Sequence, residues 1–172
     1  MALFRRTQSL PPRLDITIVG IDDLEKLKGT AFTRVISICE ADMKAGRGCE
    51  AQLRRLFPGA TYNFSYFDDV EYEKAGAPDR NQVYRILHFG QSFTPSDKIL
   101  IHCRAGISRS TAIACAIACQ HSPPGEEKQA VEHTRSIRSL MLPNFLIIKL
   151  ADEILQRQGK LIAAVAKARG PF

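Results

Sequence analysis

The chain has 172 residues, of which 45% are hydrophobic and 24% charged, with a formal net charge of +6. That length fits one domain with a sizeable core, and the balance excludes fibrous, low-complexity and disordered classes. No apolar run is long enough to span a bilayer, and the basic lean suits either plain solubility or a surface that attracts anionic substrates.

The N-terminal stretch MALFRRTQSLPPRLD has basic residues with no apolar run behind them, and does not read as a secretory signal. LDITIVG (14–20) predicts a short strand, and DDLEKLK (22–28) a helical turn or two. FTRVISICE (32–40) has the β-branched density of a buried strand. GCEAQLRRLF (48–57) is helical by period and is stopped by Pro58-Gly59. ATYNFSYF (60–67) reads as extended, and the polar DDVEYEKAGAPDR (68–80) as an exposed loop. Asp79 suits the N-cap of a helix over 80–93. DKILIH (97–102) predicts a strand and SRSTAIACAIACQH (108–121) an Ala-rich buried helix broken by Pro123-Pro124. Two amphipathic helices follow, over 125–141 and 143–159, and a basic one over 160–168. Strands alternating with helices predict an α/β domain, residues 1–172, with a central mostly parallel sheet flanked by helices and a helical C-terminal half.

Five cysteines, at 39, 49, 103, 115 and 119, show no framework spacing and point to a reducing cytoplasm rather than secretion. Cys115 and Cys119 have no His or Cys pair nearby to complete a zinc site, so they read as small apolar residues on one helix face.

Cys103 is different, because KILIHC ends a buried strand and RAGISR turns at once into a helix. In parallel α/β sheets ligands bind outside the carboxyl ends of strands. The unpaired N–H groups of the following helix can converge there on an anion, and the same field favours a thiolate. Gly106 permits the tight turn, and Arg109 brings a planar fork suited to two phosphoryl oxygens. Each residue has a bland reading by itself: a buried thiol at 103, a core histidine at 102, a turn glycine at 106, a helix-end serine at 110. Their conjunction in strand–loop–helix context is what points to chemistry.

HCRAGISRS resembles the signature loop of the cysteine-dependent protein tyrosine phosphatases, and its AGISRS portion is similar to the dual-specificity branch. FDDVEYEKAGAPDRNQVYRILHFGQSF is similar to the acid-bearing loop and next helix of small bacterial members, and PNFLIIKLADEIL resembles their C-terminal helix. The likeness runs from about residue 32 to 158. It implies a phosphomonoester hydrolase with a cysteinyl-phosphate intermediate and neither cofactor nor metal. In that scheme Cys103 attacks phosphorus, Arg109 clamps the phosphoryl group, and Ser110 hydrogen-bonds the sulfur. Arg104, Ala105, Gly106, Ile107 and Ser108 form the loop around the phosphate, while His102 stands behind it. Asn144 matches a residue that steadies the loop, and equally suits a helix cap beside Pro143.

The acid is Asp68 or Asp69, which point to opposite faces of an extended segment. Asp69 faces the loop if Phe67 packs inward, and Asp68 does if Phe64 and Tyr66 do. The resemblance of FDDV to the bacterial Phe-x-Asp-Ile favours Asp69. Cys39, ending a neighbouring strand, is either simply buried or placed to trap an oxidised Cys103 as a disulfide.

The expected partner is a phosphorylated protein or peptide, and since no segment resembles the recognition loop that deepens the tyrosine-specific pocket, a shallower pocket that admits phosphoserine and phosphothreonine beside phosphotyrosine is expected, as in a protein tyrosine or dual-specificity phosphatase. Phosphoinositide or inositol phosphate cleavage is the lesser reading, because the loop lacks the two lysines of lipid-directed relatives. No aromatic-rich motif supports nucleic-acid binding, and a monomer is expected. A phosphate-binding pseudophosphatase and a sulfur-transfer protein are the rival classes. The retained Cys, Arg and Asp oppose the first, and the arginine at the sixth place opposes the second.

Overall fold

The computed structural model describes residues 13–43 and 49–169. The reading of the N-terminus, up to residue 12, lies outside them, as does the predicted start of the helix over 48–57. Four strands form one wholly parallel sheet: β1 (Asp15–Gly20), β2 (Arg34–Cys39), β3 (Thr61–Tyr66) and β4 (Lys98–Cys103). Their order is β1-β4-β2-β3, so the last strand inserts between the first two. That insertion makes the carboxyl end of β4 the switch point of the sheet.

Helices α1 (Glu50–Leu56), α2 (Arg80–Gly90), α3 (Arg109–Gln120), α4 (Glu127–Ile137), α5 (Phe145–Ile154) and α6 (Lys160–Arg169) accompany the sheet. The sheet is covered on both faces, which is why its strands read as apolar runs rather than alternating ones. One face carries Ile16, Ile18, Ile36, Ile38, Ile99 and Ile101 against the buried α3. The other carries Val35 and Leu100 against Leu24, Leu53 and Phe57, from a 3-10 helix (Ile21–Leu27) and from α1 and its end. Alanines let α3 pack closely: all residues from Arg109 to Cys119 are buried.

Several helices are shorter than their periodicity predicts, each for a local reason. Residue Gly90 ends α2 where a Cβ would come within 3.2 Å of Ile117. The stretch after Ile137 leaves the helix because Leu142 donates its N–H to the Ile107 carbonyl instead. Helix α5 stops at Ile154, before Gln156 and Gln158 take positive φ, and the Asp152 carboxylate then accepts from the N–H groups of Gly159 and Leu161 to start α6.

The cysteines depart from expectation. Cys39 is joined to Cys49 in a disulfide, although their spacing gave no sign of a framework. The start of α1 brings Cys49 over the second face, where Cys39 points. Cys103 points into the first face, and the partner of Cys39 is Cys49 rather than Cys103. Cys115 and Cys119 lie buried in α3, and burial pushes both thiols up to about 12. They are packing residues.

Candidate active site

Strand β4 delivers Cys103 to the switch point, and the loop 104–108 wraps round its sulfur. The thiol is 2% exposed, at the floor of the loop. Sγ lies 3.1 Å from Ser110 Oγ and accepts the Gly106 N–H at 3.3 Å.

Every carbonyl of the loop is fastened outside it. Arg104 O accepts from Ile21 N at 2.9 Å, and Ile107 O from Leu142 N at 2.9 Å. Ser108 O accepts from Ala112 N at 3.0 Å and Asn144 N at 3.3 Å. Ala105 O and Gly106 O accept from the Arg138 guanidinium at 3.4 and 3.0 Å. Because C=O and N–H oppose each other across a planar peptide, the peptide whose Ala105 carbonyl is drawn outward turns its Gly106 N–H to the sulfur. Ser108, at the N-cap of α3, makes no cap hydrogen bond, which leaves the first turn of α3 without a side-chain partner. Gly106 adopts φ 69°, and a Cβ there would lie 2.4 Å from the Val19 carbonyl carbon.

Arg109 is 2% exposed and gripped from behind. Its two terminal nitrogens reach Glu40 Oε1 and Oε2 at 2.7 and 2.9 Å, and one also donates to Phe67 O at 2.8 Å. The buried Nε has no hydrogen-bond partner among the described residues and stands 4.0 Å from Asp69 Oδ2. A buried guanidinium N–H without an acceptor is costly, and an anionic oxygen entering the loop would satisfy it. Sequence reading missed Glu40. Its signal was faint, a carboxylate at the end of the strand beside β4.

Asp69 and Asp68 part company here. Phe67 is fully buried among residues of the Cys103 face. Two residues on, Asp69 Oδ1 accepts from Ser108 Oγ at 2.6 Å and Asn144 Nδ2 at 2.9 Å. Asp68 turns away and accepts the Ala41 N–H at 3.0 Å. Asn144 caps α5 through its Oδ1 and Ile147 N, while its amide holds Asp69 and the Val70 carbonyl; the loop around the sulfur meets only its backbone N–H, at Ser108 O. His102 is buried on the other face, with Nε2 2.8 Å from Ser37 Oγ. Burial, with the Arg109 charge adding to it, pushes its imidazole down to about 4. Arg104 and Ala105 are exposed, and Ile107 and Ser108 half-buried, around the opening.

No family model and no curated protein matches the sequence. Solved structures match the fold. A mouse putative dual specificity phosphatase complexed with zinc tungstate is 15% identical, with a TM-score of 0.58 over 95% of this chain and 98% of that one. The human tyrosine phosphatase-like serine/threonine/tyrosine-interacting protein is 19% identical at 0.58, covering 81% of this chain and 90% of its own. PTPMT1 in complex with PI(5)P is 17% identical at 0.54, over 88% and 91%. The chain has the fold of these phosphatase-like proteins. None of its described helices is long and apolar enough to cross a membrane.

Proposed function

We propose that the chain hydrolyses phosphomonoesters through a cysteinyl-phosphate intermediate, on phosphorylated proteins or peptides. The observation that carries this reading is the buried Nε of Arg109, without a hydrogen-bond partner among the described residues, in the same loop as a sulfur that accepts the Gly106 N–H. A dianion is the ligand that such donors fit.

Cys103 attacks phosphorus in line, and the ester oxygen leaves with a proton from Asp69. Ser108 and Asn144 hold Oδ1 of that carboxyl, which leaves Oδ2 to carry the proton. Asp69 then takes a proton from water, the water attacks the thiophosphate, and Ser110 Oγ supports the departing sulfur. Arg109, with Glu40 fixing its plane, holds equatorial oxygens in both steps.

The cleft beside the loop supports a peptide over a lipid. It is about 230 Å³ and is lined by Ile21, Asp22, Ile38, Glu40, Met43 and Arg104 among others, so its charges are mixed rather than polybasic. The PI(5)P held by the same fold in PTPMT1 keeps phosphoinositides as the second reading.

Turnover on phosphopeptides, phosphoinositides and aryl phosphates, with chelator present, tests both. Phosphopeptides should be turned over fastest, and Cys103→Ser should abolish turnover while retaining tungstate binding. Arg109→Lys should fail as well, because a point charge cannot replace a fork held by Glu40. Hydrolysis undiminished by Cys103→Ser would end this mechanism, and a pseudophosphatase would bind phosphopeptide without cleaving it.

A further inference from the structure

Of the five carbonyls in the loop, three are fastened by backbone N–H groups, from Ile21, Leu142 and Ala112 with Asn144. Any amino acid but proline supplies that donor. The other two, Ala105 O and Gly106 O, depend for their partner on one side chain, Arg138. One of the two bears directly on the sulfur. The peptide carrying Ala105 O carries the Gly106 N–H, which donates to Cys103 Sγ at 3.3 Å. The peptide carrying Gly106 O carries the N–H of Ile107.

Arg138 is well placed for this task. It follows the last turn of α4 with extended φ and ψ of −132° and 92°, and its own N–H closes the helix on Thr134 O. Its backbone is therefore anchored independently of its side chain. The half-buried guanidinium makes no ion pair among the described residues.

We infer that Arg138 is a positioning residue for the reaction proposed above. By drawing both carbonyls outward, it turns the Gly106 and Ile107 N–H groups onto the sulfur and the phosphoryl oxygens. The inference rests on the phosphatase reading and goes beyond it, since Arg138 touches neither sulfur nor phosphate.

The test is the Ki of inorganic tungstate against aryl phosphate hydrolysis for wild type, Arg138→Ala and Arg138→Lys, alongside kcat, KM and Tm. A Ki reports only the folded fraction, so lost stability by itself does not move it. Two charge-assisted bonds lost from the loop predict a Ki about tenfold higher in the alanine variant, with kcat/KM lower by about the same factor. Lysine, which can reach one carbonyl, should recover part of that. If the alanine variant does not fold, Arg138→Gln, with its single amide donor, is read in the same way. A Ki within about twofold of wild type overturns the role of Arg138 and leaves the phosphatase reading standing. A wild-type protein that neither hydrolyses the ester nor binds tungstate overturns both.

Discussion

Asp68 and Asp69 are neighbours of one chemical type, and the fold gives them different partners. Asp69 meets Ser108, Asn144 and Arg109, whereas Asp68 ties the Ala41 N–H to its own loop. Removing a positioned general acid costs on the order of 10²–10⁴ in rate. Asp69→Ala should lose that much in kcat, most visibly with poor leaving groups, and one limb of its pH–rate profile should flatten. Asp68→Ala should keep kcat and lose about 1 kcal/mol of stability, the worth of an ordinary hydrogen bond. Steady-state kinetics and urea titration of the two variants separate these outcomes, and a reversed pattern would move the acid by one residue. Alternation along the strand left this choice open in the sequence. Burial of Phe67 determines which side faces the loop, and burial is a property of the folded sheet.

At the scale of elements, the end of β1 carries a constraint that no motif announces. A Cβ on Gly20 would lie 2.9 Å from Arg104 O and 3.1 Å from Ala105 O, because Gly20 pairs with Cys103 in the sheet and the loop folds back over it. Gly20→Ala must push these backbones apart by several tenths of an ångström. Misplacement of a reacting group by about 1 Å can cost 10²-fold. The expected result is a fall in kcat/KM of roughly 10-fold or more, larger than any fall in tungstate-free Tm suggests. An unchanged kcat/KM would mean that β1 does not brace the loop. Glu40 is a parallel case: its position at the end of β2 is legible, but its grip on Arg109 depends on β4 lying beside β2.

For the whole molecule, His102 sets a limit on acid stability. Its imidazole sits at about 4 in the fold, against an ordinary value of 6.5, chiefly because burial disfavours its charge. The unfolded chain therefore takes up the proton first as pH falls. The neutral histidine contributes fully above about pH 6.5, and that contribution is lost progressively down to about pH 4, roughly 3 kcal/mol in all. Asp97 acts lower. Burial opposes its charge, but the Thr94 N–H, Thr33, Arg34 and the Thr94 hydroxyl overcome that and hold it at about 2, so its contribution fades only below pH 4. Urea midpoints between pH 7 and 4 should fall for wild type and flatten for His102→Gln, which can keep a bond to Ser37. An equal slope in both would clear the imidazole of this role.

The sequence alone determined the order and kind of nearly every element, because apolar periodicity and breakers such as Pro58-Gly59 and Pro123-Pro124 act locally. It also placed Cys103 through Ser110 within one strand–loop–helix turn, a local feature that needs no distant partner to be read. Only the tertiary structure decided what grips that segment. Glu40 lies 69 residues from Arg109 and Arg138 lies 32 from Gly106, while Gly20 pairs with Cys103 from the first strand; strand order and the end of α4 beside the loop bring them in. The Cys39–Cys49 pairing belongs with them. Spacing along a chain says little about contact across a sheet, because the order in which parallel strands assemble is fixed by packing on both faces.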